Sequence, residues 1–101
     1  MPFETTWAVA PDHPAFAGHF PGAPILPGVV LLDTVLLWAE TVTDSVAGQI
    51  GNAKFLSPVR PGDLLTLALV CATPGNARFD IGCGSRKVAT GQLSLTPRVL
   101  P

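Results

Sequence analysis

Between Pro11 and Gly28 the chain carries five prolines (Pro11, Pro14, Pro21, Pro24, Pro27) and three glycines (Gly18, Gly22, Gly28). Each proline removes a backbone donor and fixes φ, so neither a strand ladder nor a helix runs through such a stretch. Phe16, His19, Phe20, Ile25 and Leu26 are interleaved with these residues. That apolar content is too high for a solvated linker, and the segment is expected to be an ordered loop packed against the rest of the molecule.

The loop divides the chain into a short leading part and a long trailing part. Ahead of it, Phe3 to Ala10 mixes Thr, Trp and Val in partial alternation and stops at Pro11, the pattern of a first strand. Behind it, Pro27 suits a first helical turn, and VVLLDTVLLWAETVTDSV predicts one long helix ending near Gly48. Leu31, Leu32, Val35, Trp38, Ala39, Val42 and Val46 form one broad stripe at helical spacing, expected to meet the core. Asp33, Leu37, Glu40 and Asp44 lie opposite. Val29, Val30, Leu36 and Leu37 make the first half of the helix apolar almost all round, which suits burial on both sides, the second under a partner subunit. Four strands are then expected: Ile50 to Val59, Leu64 to Ala72, Ala77 to Cys83 and Val88 to Thr96, with Arg60-Pro61-Gly62-Asp63 and Thr73-Pro74-Gly75-Asn76 as turns. Short turns make successive strands antiparallel neighbours, so the fold class is α+β, an antiparallel sheet with a single helix laid on it.

A chain of 101 residues, 48% of them apolar, supports one modest core, and residues 1–101 are read as a single domain. Only 13% of residues are charged and the net charge is -1, which offers no basic stripe for nucleic acid. The same low charge favours burial of apolar surface in at least a dimer. Cys71 and Cys83 stand in separate apolar runs, without CxxC or His/Cys spacing, and read as reduced core thiols rather than a disulfide or metal site. The N-terminus lacks the basic start and apolar run of a secretion signal, and Asp33 interrupts the longest apolar segment, so a soluble cytoplasmic protein with no membrane contact is expected.

The chemistry concentrates in Gly18-His19-Phe20-Pro21-Gly22-Ala23-Pro24-Ile25-Leu26-Pro27-Gly28-Val29, followed by Asp33. This places an imidazole on a rigid loop, a helix N-terminus at Gly28, and a carboxyl group a little over one turn inside the helix. Abstracting a proton beside a thioester carbonyl needs a base, a donor for the enolate oxygen and an acid for the departing hydroxyl. His19 can be the base, the Gly28 N–H at the positive end of the helix dipole the oxyanion donor, and Asp33 the acid. Glycine at 28 would also let an acyl chain approach the backbone closely. As an acid, Asp33 needs a pKa raised from about 3.9, for which desolvation by Val29, Leu32, Leu36 and Leu37 is the expected cause, or a bound water as the proton source. The alternative readings are structural: a loop histidine can simply pack, Asp33 can begin a solvated face with Glu40 and Asp44, and His13 reads as a loop residue.

The motif strongly resembles that of the 3-hydroxyacyl-[acyl carrier protein] dehydratases of the FabZ/FabA type. Lys54-Phe55, Pro58-Val59, Pro61-Gly62-Asp63-Leu64 and Val88-Ala89-Thr90-Gly91 extend the likeness over most of the chain. The resemblance implies a hot-dog fold, in which an antiparallel sheet wraps one long central helix, and a homodimer or higher even oligomer with active sites at the interface. It implies His19 and Asp33 as the catalytic pair, the histidine from one subunit and the acid from its partner's helix, and Gly28 as the donor to the thioester carbonyl. Phe20, Pro27, Val29 and Leu37 are the candidate pocket residues. Leu37 stands where the family often has glutamine, and the chain is short, which is similar to ApeI-like members serving aryl polyene or polyketide-like pathways as much as fatty acid synthesis.

The expected reaction is dehydration of 3-hydroxyacyl thioesters to trans-2-enoyl thioesters, on acyl carrier protein or CoA. No metal or cofactor is expected, since the phosphopantetheine arm belongs to the substrate and no phosphate loop or ligand cluster is present. Arg60, Arg86 and Lys87 are candidates to dock an acidic carrier. Two rival readings share the fold: an acyl-CoA or acyl-carrier thioesterase, which needs no loop histidine of this kind, and a non-catalytic carrier-binding subunit of a heterodimer.

Overall fold

The computed structural model describes residues 2–16 and 25–97. Five strands and one long helix follow one another as β1 (Pro2–Ala8), a 3-10 turn (Pro14–Phe16), α1 (Gly28–Thr43), β2 (Ser45–Phe55), β3 (Leu64–Thr73), β4 (Asn76–Cys83) and β5 (Arg86–Pro97). All neighbours are antiparallel and the sheet order is β1-β3-β4-β5-β2, so β1 and β2 are the edges. The α+β expectation holds and each expected strand is present, but β2 runs Ser45–Phe55 in place of the expected Ile50 to Val59 and pairs with β5, not with its neighbour in sequence, β3.

The sheet is held in register by its alternation. Leu65, Leu67 and Leu69 of β3, Ala77, Phe79 and Ile81 of β4, and Ala89, Leu93 and Leu95 of β5 are buried on one face. Leu31, Val35 and Ala39 of α1 close the core from the other side, with Leu32, Trp38 and Val42 packed partly against it. At each of the two Pro-Gly turns the glycine takes the left-handed conformation, Gly62 at φ 84° and Gly75 at φ 82°, as a type II turn requires after proline. Phe79 lies opposite Gly91 in the ladder, and a Cβ at Gly91 would meet the Phe79 ring at 2.7 Å. The largest core side chain therefore occupies space that only glycine leaves open.

The helix ends earlier than its apolar pattern predicts. Asp44 adopts the left-handed conformation (φ 50°, ψ 48°) and its N–H donates to the Glu40 carbonyl, which closes α1 at Thr43. Aspartate tolerates that conformation better than most residues, and the β-branched Thr41-Val42-Thr43 run leading into it is a weak helix former. Val46 consequently belongs to β2, where it is 47% exposed, and not to the helix stripe that meets the core. The Glu40 carboxylate spans the junction by accepting the Ala47 N–H at 2.9 Å. Cys71 and Cys83 are both free and half-buried. Among the described residues no helix is long and apolar enough to cross a membrane.

Candidate functional site

The loop after β1 is tied to the turn before β3. Val9 donates to the Asp63 carbonyl at 2.9 Å and accepts the Gly62 N–H at 2.9 Å, which buries Val9 beside that turn. His13 packs edge-on against Trp7 and Phe16, with ring centroids 6.4 and 6.2 Å away, in keeping with its reading as a loop residue. His19 and Phe20 lie outside the described residues. The chain returns at Ile25, and the Leu26 N–H donates to the Val59 carbonyl at 2.8 Å, which fixes the approach to the helix.

Pro27 is the N-cap of α1 (φ -61°, ψ 143°) and offers no side-chain cap; Val30 N–H donates back to its carbonyl at 3.0 Å. Gly28 is thus the first helical residue. Its N–H is one of the donors a helix start leaves over, and no described residue accepts it. The Phe55 ring, at the end of β2, crowds this residue: a Cβ at Gly28 would stand 2.7 Å from its Cζ and 2.9 Å from its Cε1. The close approach that requires glycine here is therefore made by an aromatic ring of the same chain. Ile25, Leu26, Gly28, Leu31, Phe55 and the 56–59 connection enclose a cleft of about 280 Å³.

Asp33 faces elsewhere. It is exposed, between Val29 (63% exposed) and Leu37 (66%) on one outward stripe of α1. It lies five positions after Gly28, roughly 140° round the helix at 3.6 residues per turn. Gly28 looks into the cleft formed with Phe55, whereas Asp33 looks away from its own core. Within one chain the expected donor and the expected acid are not brought together. The stripe Val29, Asp33, Leu37 combines a carboxyl group with two large apolar side chains left in solvent, the two-sided helix anticipated from the sequence.

The basic residues divide in the same way. The Arg86 guanidinium donates to the Pro58 carbonyl at 2.7 Å and to Asp63 Oδ2 at 3.2 Å, and Asp63 Oδ2 also accepts the Arg60 N–H at 2.9 Å. The neighbouring Cys83 side chain raises the Arg86 pKa above its ordinary value, burial opposes this, and the hydrogen bond to Asp63 adds a lesser upward push. Arg86 is therefore engaged in holding the β2–β3 connection to the β4–β5 turn. The side chains of Arg60 and Lys87 are exposed.

The family model described as ApeI-like, ApeI dehydratase, matches residues 2–92. This chain belongs to the ApeI-like dehydratase family. The 3-hydroxyacyl-[acyl-carrier-protein] dehydratase FabZ of Chlamydia trachomatis serovar L2 is 40% identical to it over 82% of this chain; the match spans 64% of the length of that relative. The dehydratase heterocomplex ApeI:P from Xenorhabdus doucetiae superposes with a TM-score of 0.82 at 26% identity, over 94% of this chain and 87% of that one. A hot-dog-like protein from Thermanaerovibrio acidaminovorans, 14% identical over 95% of this chain and 79% of that one, superposes at 0.73 and bears on the fold alone. The ApeI-like chain thus has the hot-dog fold that its motif implied.

Sequence reasoning did not assign a role to Phe55, which it had only as part of a matching stretch. The available signal was an aromatic residue at the end of a strand, immediately before Leu-Ser-Pro, where regular pairing must stop.

Proposed function

We propose that the chain dehydrates 3-hydroxyacyl thioesters carried on a phosphopantetheine arm, giving trans-2-enoyl thioesters, at sites built between two copies. The observation that carries this reading is the separation of Gly28 from Asp33 on α1, beside a helix-start N–H that no described residue accepts and a largely apolar cleft. In the proposed site the thioester carbonyl accepts the Gly28 N–H, aided by the positive end of the helix dipole. His19 removes the proton from the carbon next to the carbonyl, and Asp33 from the other copy protonates the departing 3-hydroxyl. The bond from hydroxyl to carbon breaks as the double bond forms, and water leaves.

Coverage of Val29, Asp33 and Leu37 by a second copy serves two ends. It buries the exposed apolar side chains, and it brings the Asp33 carboxyl group to the Gly28 end of the other copy. Leu37, at the family's frequent glutamine position, leaves the acid with apolar neighbours one turn away on both sides. The cleft walls are mainly aliphatic and aromatic, with Ser57 the one polar side chain among the described lining residues, which suits a hydrocarbon chain, and the pantetheine arm arrives with the substrate. Arg60 and Lys87, both exposed, are cations with which an acidic carrier protein can be met. The ApeI:P relative is a heterocomplex by its own description, and a related but non-identical partner is the heterodimer form of the same proposal.

The test is incubation of purified protein with 3-hydroxyacyl thioesters on carrier protein and on CoA, with His19→Ala in parallel, followed by mass spectrometry. Loss of one water with the thioester intact, abolished by the substitution, is the expected result. Release of free thiol would place the activity with thioesterases.

A further inference from the structure

We infer that Phe55 determines which acyl groups reach the Gly28 N–H, and that it selects chains unbranched at the carbon next to the thioester carbonyl. This deepens the proposed reading of the same cleft and rests on it. Three features carry it. First, the ring tip is close to the donor: with Cζ 2.7 Å from the Cβ position of Gly28, it lies within roughly 5 Å of the Gly28 nitrogen, one Cβ-to-N separation further on. An oxygen accepting that N–H sits about 2.9 Å from the nitrogen, so substituents on the carbon next to a carbonyl bound there are within reach of the ring in the proposed pose.

Second, the ring is held from behind. Phe55 pairs with Ala89, and the next two N–H groups, those of Leu56 and Ser57, both donate to the Val88 carbonyl at 2.7 and 3.2 Å. The Ser57 hydroxyl donates to the Lys87 carbonyl at 2.5 Å. The backbone of Phe55 therefore cannot follow if the side chain is pushed, and only rotation of the side chain makes room. Third, the ring is 52% exposed at the mouth of a cleft whose other contributing side chains near Gly28, Ile25, Leu26 and Leu31, are aliphatic. Among the described lining residues the one polar side chain, Ser57, is already engaged with the Lys87 carbonyl, so no described side chain rewards a branched group for displacing the ring and the limit is steric.

The test pairs a linear 3-hydroxyacyl pantetheine thioester with its 2-methyl counterpart, for wild type, Phe55→Leu and Phe55→Ala. Consumption is followed by both water loss and thiol release, and binding is measured with the two matching amide analogues, which cannot react. Circular dichroism melting confirms that each variant is folded; Phe55→Leu keeps an apolar side chain where Phe55→Ala fails to fold. Wild type is expected to prefer the linear compound at least tenfold, and Phe55→Leu or Phe55→Ala to bring the ratio to within about threefold of unity, with the linear compound still accepted. An unchanged ratio in the folded variants, or a wild type that binds both analogues equally or neither, overturns the inference. Thiol release in place of water loss would overturn the dehydratase reading, while the ratio would still decide the role of Phe55.

Discussion

Replacement of Gly28 by alanine should change sign in its effect on stability according to what occupies position 55. The added Cβ would stand 2.7, 2.9 and 3.2 Å from Cζ, Cε1 and Cε2 of Phe55, whereas carbon atoms in contact prefer about 3.5–4.0 Å. The ring must retreat by roughly 1 Å. Because its outer half is in solvent it can swing away, so the cost falls towards the lower part of the range for overpacking, about 1–2 kcal/mol. Opposing this, alanine at a helical position gains about 0.5 kcal/mol over glycine by restricting the unfolded chain. Gly28→Ala alone is then expected to destabilise by about 0.5–1.5 kcal/mol. In a Phe55→Ala background the clash is gone and the same change should stabilise by about 0.5 kcal/mol. Urea unfolding of the four proteins at one fixed protomer concentration gives the coupling energy, expected at about 1–2 kcal/mol. The same sign in both backgrounds would refute the close approach of Phe55 to Gly28.

Other positions lead to further expectations. Gly91→Ala has no such escape, because Phe79 is fully buried and the Ala53 backbone lies 3.1 Å from the new Cβ; a loss of about 2–3 kcal/mol in unfolding free energy is expected. Glu40→Ala removes the acceptor of the Ala47 N–H and should cost about 1–2 kcal/mol in thermal or urea unfolding, with Glu40→Gln, which retains an acceptor oxygen, losing less. Asp63→Ala frees both the Arg60 N–H and the Arg86 guanidinium and should cost about 1–2 kcal/mol, with faster amide exchange across residues 57–63.

Much of the fold could be read from residue order because its signals are local. The Pro-Gly turns at 61–62 and 74–75 stand where the pattern put them, and the alternation of β3 and β4 is plain in Leu65, Leu67, Leu69 and Ala77, Phe79, Ile81. The start of α1 was legible to within one residue, at Pro27-Gly28. Its end was not: Gly48 offered an obvious stop, while the actual stop is Asp44, whose left-handed conformation ends α1 just before β2 begins its pairing with β5. The placement of β2 at the sheet edge depends on contacts more than 30 residues apart in sequence, such as Lys54 with Thr90, which no local pattern encodes. For the candidate site, Gly28, Asp33 and Leu37 were identifiable from the motif and from helical spacing, and so was the two-sided character of α1. What remained hidden was Phe55 against Gly28, since nothing in either local segment reports on the other, and the engagement of Arg86 with Pro58 and Asp63 in place of an outside partner.

The central claim is that one site needs His19 from one copy and Asp33 from another, and mixing tests it most directly. His19→Ala and Asp33→Asn are each expected to lower the rate of water loss from a 3-hydroxyacyl thioester by about 10²–10⁴-fold. When the two inactive proteins are unfolded together and refolded as a mixture, a mixed pair contains one site with both side chains intact. Recovery of a substantial fraction of wild-type dehydration, near one quarter for random pairing, is the predicted result. A mixture that remains as inactive as its two components, while wild type treated in the same way is active, would contradict it.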